Sequence, residues 1–184
     1  PVDVKDSIKV QKVESLTIIV GEGLLIREDS EPIWLVKAGV GASAASMAVE
    51  NLIALGIDKF ISIGTAGTFQ NKIDIGDIVV CEKALRDEGV SYHYLPPSRY
   101  TEPSEVMNEN MIDVLEDEGY DHHLGPTWTI DAVFRETEKE IETYREEGIY
   151  TVDMEAAALF AVGDHRDVEI TSLFTISDRL TGDE

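Results

Sequence analysis

Thr151-Val-Asp-Met-Glu-Ala-Ala-Ala-Leu-Phe-Ala161 changes character part-way along, and that change sets the architecture. Tyr150 to Val152 reads as the end of a short buried strand, and Asp153 stands where a helix N-cap acceptor is expected. Met154, Ala157, Ala158 and Ala161 then recur at helical spacing, so a strand hands over to a helix near Asp153. Glu155 is thereby predicted in the first helical turn, where free backbone N–H groups and the helix dipole help keep a carboxylate ionised. The residues around it are small and apolar. A small molecule can approach such a carboxylate closely, and an anion so placed can hold two adjacent hydroxyls of a sugar.

Strands that run into glycines recur upstream. Ile33-Trp-Leu-Val36 leads into Ala38-Gly-Val-Gly-Ala-Ser43 and then a helix ending at Leu55-Gly56. Lys59-Phe-Ile-Ser-Ile63 leads directly into Gly64-Thr-Ala-Gly67. Gly39 and Gly41 make half of a dinucleotide fingerprint whose third glycine is missing. Glycine at a strand's C-terminal end lets backbone approach a ligand, and two such tips meet at one crevice when strands and helices alternate around a sheet. Thr65 adds a hydroxyl beside backbone N–H groups, a setting suited to an oxyanion or phosphate.

Two further segments point at the same crevice. Trp128-Thr-Ile-Asp131 reads as a strand, and Phe134-Arg-Glu-Thr137 opens a charged helix that reaches Glu147-Gly148. An aromatic residue at such an exit can stack on a flat base. The last strand, Ile170 to Ser177, ends at Asp178, which puts a carboxylate at a strand tip. A carboxylate at such a tip can serve as a general acid or acceptor toward a bound ligand, and Asp178 is the candidate.

The remaining stretches are read as scaffold. Ser7 to Val13, Leu16 to Val20 and Ile33 to Lys37 are strand-like and suggest an antiparallel edge, with turns at Gly21-Glu22-Gly23 and Glu28-Asp29-Ser30. Ala84 to Ser104 reads as a long loop, with Tyr92 and His93 as contact candidates. Glu105 to Gly119 is an amphipathic helix expected to turn Val106, Met111, Val114 and Leu115 inward. His122 and His123 have no ligand partners at metal spacing, so no metal is expected. The lone Cys81 precludes an internal disulfide and reads as a small buried strand residue.

With 184 residues, 43% of them hydrophobic, the chain is expected to form a single domain spanning residues 1–184. Fifteen basic against 37 acidic residues give a net charge of -22, which argues against nucleic-acid partners. Such acidity suits a salty cytoplasm, although eight lysines remain. No apolar run long enough to span a membrane and no signal-like opening are present, so a soluble, cytoplasmic protein is expected, with no membrane partner.

Thr151-Val-Asp-Met-Glu-Ala156 resembles the Val-Glu-Met-Glu-Ala signature of the purine and uridine phosphorylase superfamily, which also holds the methylthioadenosine nucleosidases. Asp153 replaces the first glutamate and Glu155 matches the second. Gly39-Val-Gly41, Gly64-Thr-Ala-Gly67, Ile73 to Val80 and Ser177-Asp178 are similar to the family's other motifs. The resemblance implies an α/β fold of three layers, with a central mixed, partly barrel-like sheet flanked by helices. It implies ribose contacts from Glu155, Met154 and Val40, and phosphate contacts from Gly64, Thr65, Gly67 and Gly41. For the base it implies Val133, Phe134, Arg135, Val152 and Asp153, with Asp178 assisting departure.

The expected reaction is reversible phosphorolysis of a nucleoside, purine favoured over uridine, with inorganic phosphate as co-substrate and no further cofactor. The family assembles as homo-oligomers, dimers or hexamers, in which a neighbour's loop completes each pocket. Ser62 departs from the arginine usual in phosphorylases, and Arg135 is read in three ways, as a replacement for it, as a partner of a base carbonyl or as a surface ion pair with Glu138. A nucleosidase using water therefore stays open, as do a uridine phosphorylase and a nucleoside-binding protein without turnover. The family pattern also has an earlier strand with a Gly-Asp phosphate turn and a longer closing helix, which these residues do not contain.

Overall fold

A computed structural model describes residues 16–19, 24–28 and 31–180, with side chains from Trp34 onward. Among these residues nine strands make one mixed sheet: β1 (Leu16–Ile19), β2 (Leu24–Glu28), β3 (Glu31–Leu35), β4 (Lys59–Thr68), β5 (Ile78–Asp87), β6 (Tyr100–Thr101), β7 (His122–Ile130), β8 (Thr151–Asp153) and β9 (Glu169–Arg179). Five helices accompany them: α1 (Ala42–Ala54), α2 (Ser91–Tyr94), α3 (Glu105–Asp117), α4 (Glu138–Glu146) and α5 (Ala156–Arg166). β9 pairs with both β4 and β5, which closes a ring in the order β4, β8, β7, β5 and β9. The fold is the α/β, partly barrel-like architecture expected.

The N-terminal strands differ from their reading as an antiparallel edge. β1 runs parallel to both β3 and β4, and only the β2–β3 pair is antiparallel. Parallel neighbours need a crossover connection, and here β2, β3 and α1 lie between β1 and β4 in the chain. β2 was not anticipated, while the strand expected at Ser7 to Val13 lies outside the described residues. Ala84 to Ser104 is more regular than a loop: β5 continues to Asp87, and α2 and β6 follow. In α3 the buried side chains are Met107, Asn108 and Leu115, whereas Val106 and Val114 are each 58% exposed.

Two apolar clusters hold the scaffold. The larger lies between the sheet and the helices α1 and α5, with Val49, Phe60, Leu159, Phe160 and Ile170 at its centre. The smaller gathers Phe69, Trp128, Ile141, Ile149 and Val152 beneath α4. Each fully buried large apolar side chain contributes about 1.5–3 kcal/mol before chain entropy is counted. Residues Ala156 through Gly163 are all buried, so α5 has no wet face along that length. Its small side chains allow the close packing; a Cβ on Gly163 would meet Ile170 at 3.0 Å.

Candidate active site

A cleft of about 520 Å³ opens where β4 changes neighbour. β1 pairs with Lys59 to Ser62 and β8 with Gly67 and Thr68, so on that side Ile63 to Ala66 have no strand partner among the described residues. Gly64 and Thr65 are exposed there and line the cleft. A split between two neighbouring strands is where an open α/β sheet offers backbone groups to a ligand. The Gly39 and Val40 turn forms a second wall. Gly39 and Gly41 have φ of 84° and 90°, the left-handed region that favours glycine.

The handover between β8 and α5 supplies the third wall. Asp153, 5% exposed, accepts hydrogen bonds at Oδ1 from the Thr127 and Thr129 hydroxyls (3.3 and 2.7 Å). Its Oδ2 accepts from the Glu155 and Ala156 amides (2.8 and 2.7 Å). Asp153 is therefore the capping acceptor that the residue type suggested, and both of its oxygens are occupied within the fold. Burial raises its carboxyl, and the four donors oppose that rise.

Glu155 is held differently. It stands just before the first turn of α5 rather than inside it, and its Oε1 accepts from the Gly41 amide. Burial pushes its carboxyl up, the Gly41 bond pulls it down, and the neighbouring Asp153 charge raises it again. Half-buried and turned into the cleft, it can still accept hydrogen bonds from a ligand. Asp178 lines the same cleft from β9, one residue past an irregularity in the β4–β9 pairing. Ser177 donates its hydroxyl to Asp178 Oδ1 at 2.6 Å. Gly67 leaves room for that carboxylate, since a Cβ there would lie 3.1 Å from Asp178 Oδ2 and 3.2 Å from Val152.

A glutamate paired to a glycine turn, a β4 edge without a strand partner and an acid on β9 thus share one hollow. A family model described as the phosphorylase superfamily matches residues 4–184. The chain belongs to the phosphorylase superfamily. It is 26% identical over 152 residues to a guanosine phosphorylase of Halorubrum lacusprofundi, covering 83% of this chain and 63% of that one. It is 27% identical over 148 residues to a uridine phosphorylase of Escherichia coli K12 (73% and 58%). A DeoD-type purine nucleoside phosphorylase of Buchnera aphidicola is 27% identical over 153 residues (82% and 65%). The chain thus spans about three fifths of the length of these curated relatives.

Against the phosphorylase pattern, the cleft collects Val40, Gly64, Thr65, Gly67, Val133, Val152, Asp153, Met154, Glu155 and Asp178. Several of these are placed otherwise than expected. Gly64 to Gly67 belong to β4 and are no turn, because pairing with β9 continues through Thr68. Gly67 is buried and paired on both sides, with Val152 and Asp178, so it makes space instead of presenting an amide to phosphate. The Gly41 amide is taken by Glu155. Asp153 has its oxygens occupied by the fold and is no reader of a base. Phe134 is 98% exposed, and neither it nor Arg135 lines the cleft; among the described residues the aromatic side chain that does is the buried Phe174. Phe134 and Arg135 sit in a single 3-10 turn, Val133 to Arg135, ahead of α4.

Two cleft residues were missed. Lys37 is its only basic lining residue among those described. Glu136, half-buried, is raised to about 7, first by burial and then by the Asp178 charge. Glu136 was read as part of the charged helix. The signal that could have separated it is Thr137-x-x-Glu140, a capping box in which each residue bonds the other's end of the turn, so α4 starts only at Glu138. Among the described residues no group of acids, histidines and cysteine is arranged to hold a metal; His123 instead pairs with Asp77 at 3.1 Å. Among the described residues no helix is long and apolar enough to cross a membrane.

Proposed function

We propose that this chain forms the nucleoside-binding and reacting part of a nucleoside phosphorylase. The observation that carries the proposal is the convergence of Glu155, the Thr65 edge of β4 and Asp178 on one cleft. Glu155 accepts from the ribose 2′- and 3′-hydroxyls, and the Gly41 bond fixes its orientation. Val40 and Met154 flank the sugar. Phosphate lies along Gly64 and Thr65, where an unpaired strand edge and a hydroxyl supply donors, with Lys37 as the available cation.

In the reaction a phosphate oxygen forms a bond to C1′ as the bond from C1′ to the base nitrogen breaks. The electron pair leaves with the base. Asp178, positioned by Ser177, stabilises that departure by hydrogen bonding or by delivering a proton to a ring nitrogen. Val133 and Val152 contact the flat faces of the base. Asp178 at the base end supports a purine over uracil, because a purine offers an additional imidazole nitrogen as proton acceptor. The carboxylate-rich lining makes local donors, and not the overall field, responsible for holding phosphate. The relatives named above are all described as phosphorylases, which supports phosphate over water as the nucleophile.

The test is product analysis with guanosine, inosine, adenosine and uridine, with and without phosphate. Ribose 1-phosphate, formed only when phosphate is present, is the expected result. Free ribose independent of phosphate would overturn the reading in favour of hydrolysis, for which Ser62 in the cleft is the supporting residue.

A further inference from the structure

Glu155 is the N-cap residue of α5, yet its side chain makes no hydrogen bond to the amides of its own cap. An N-cap side chain ordinarily accepts from the second or third amide of the helix it starts, and free amides at a helix start attract a carboxylate. Here other side chains take amides at that end. Asp153 Oδ2 accepts from the amides of Glu155 and Ala156 at 2.8 and 2.7 Å. The second helical amide, that of Ala157, donates to the Thr129 hydroxyl oxygen at 3.0 Å. The same hydroxyl donates its one proton to Asp153 Oδ1 at 2.7 Å. Thr129 is fully buried on β7, in register with Asp153 on β8. Among the described residues no other side chain bonds both Asp153 and an amide of α5. With the Ala157 amide taken, the Glu155 carboxylate reaches instead to the Gly41 amide at the start of α1.

We propose that Thr129 is a positioning residue, which by occupying the Ala157 amide and holding Asp153 keeps the Glu155 carboxylate out of its own helix cap and turned into the cleft toward Gly41 and the sugar. Thr129 does not line the cleft, so it acts through Glu155. The proposal rests on the reading of Glu155 as the ribose acceptor.

Thr129→Val removes the hydroxyl and keeps the shape of the side chain, which frees the Ala157 amide for Glu155. Thr127→Val is the matched control. Thr127 is equally buried and also donates to Asp153 Oδ1, at 3.3 Å, but the Ala157 amide stays bonded without it. Thr129→Ser restores the hydroxyl. If T129V does not fold, Thr129→Cys, whose thiol is only a weak acceptor, gives the same comparison.

The first readout needs no nucleoside. In nitrogen–proton correlation spectra of the parent the Gly41 amide proton should lie downfield, as a bond to a carboxylate requires. T129V should lose that shift, while T127V and T129S should keep it. The second readout is the sugar. The parent should favour guanosine over 2′-deoxyguanosine in kcat/KM by about tenfold or more, the range for one hydrogen bond to a charged group. T129V should lose most of that preference through a raised KM for guanosine, and T127V and T129S should retain it. General loosening of the fold would act on both threonine variants and on both sugars alike.

An intact Gly41 shift in folded T129V overturns the proposal, as does an equal loss of that shift in T127V. A sugar preference in T129V equal to the parent's also overturns it and leaves the nucleoside reading standing. Loss of the Gly41 shift in T129V alone, with no sugar preference in the parent, supports the positioning role and overturns the ribose reading of Glu155.

Discussion

Asp153 and Glu136 both line the cleft and both have carboxyls raised mainly by burial, yet their surroundings are opposite. Asp153 receives two hydroxyls and two amides and holds the start of α5. Glu136 receives no donor from the described residues and is pressed by a like charge. Burial is common to the two, so it does not distinguish an acid serving the fold from an acid serving a ligand. Unspent acceptor capacity does. By that measure Glu155, with one bond from Gly41, and Asp178, with one from Ser177, stand with Glu136 on the ligand side.

The contrast is broken or sharpened most strongly at Asp178. Asp178→Asn should lower kcat by about 10²–10⁴-fold, the range for loss of an acid at a leaving group, with little change in melting temperature. A large drop in melting temperature would move Asp178 to the structural class. Glu155→Ala removes two charge-assisted bonds to ribose and should lower kcat/KM by about 10²-fold or more, again with the fold intact in circular dichroism. Unchanged kinetics would return Glu155 to a role at the helix start.

Asp153→Ala should act through stability. It leaves buried donors unmatched, at a cost of about 3 kcal/mol or more, read as a fall in the midpoint of denaturant unfolding. A variant as stable as the parent would show that the four bonds around Asp153 contribute little.

Glu136→Gln should give a smaller and pH-dependent effect. The folded carboxyl stands at about 7 against an ordinary 4.5, so between those values the native state binds more protons than the unfolded chain. The parent's contribution from Glu136 is present below about 4.5 and is lost as pH rises through about 7. The glutamine variant should therefore be more stable than the parent above that window and indistinguishable below it. Thermal unfolding across the pH range decides, and a constant difference would mean that the Glu136 carboxyl is not raised. The smallest effect is expected at Phe134, 98% exposed, where alanine should leave the stability of the isolated chain unchanged within about 0.5 kcal/mol.

Much of the scaffold was legible locally. The handover at Asp153, the stops of α1 at Gly56 and α3 at Gly119 and the burial of Cys81 follow from short-range period and turn chemistry, and the Thr137 capping box that starts α4 was equally local but was not read. The acidic signature and the Ser177-Asp178 pair also pointed to one cleft, because strand ends and glycines carry that information in their spacing. Val106 and Val114 were misassigned because α3 is anchored on a narrow stripe, and the helical period alone does not reveal how wide a stripe the sheet will cover. Phe134 was expected to stack because an aromatic residue at a strand exit can lie on a flat base, but of the 3-10 turn that carries it only Val133, itself 45% exposed, lines the cleft.

What the residues determined by themselves were most of the elements, the stops of α1 and α3 and the presence of acids suited to a sugar and a departing base. What only the tertiary structure decided was which strand neighbours which, and therefore which backbone edges and carboxylates remain unspent. β4 continues through its glycines because β9 pairs with it, and the cleft exists because β1 leaves its other side before β8 arrives. Glu136 reads in sequence like any acid ahead of a helix. Its distinction lies in the donors it lacks and the charge it faces, and both depend on groups brought together from distant parts of the chain.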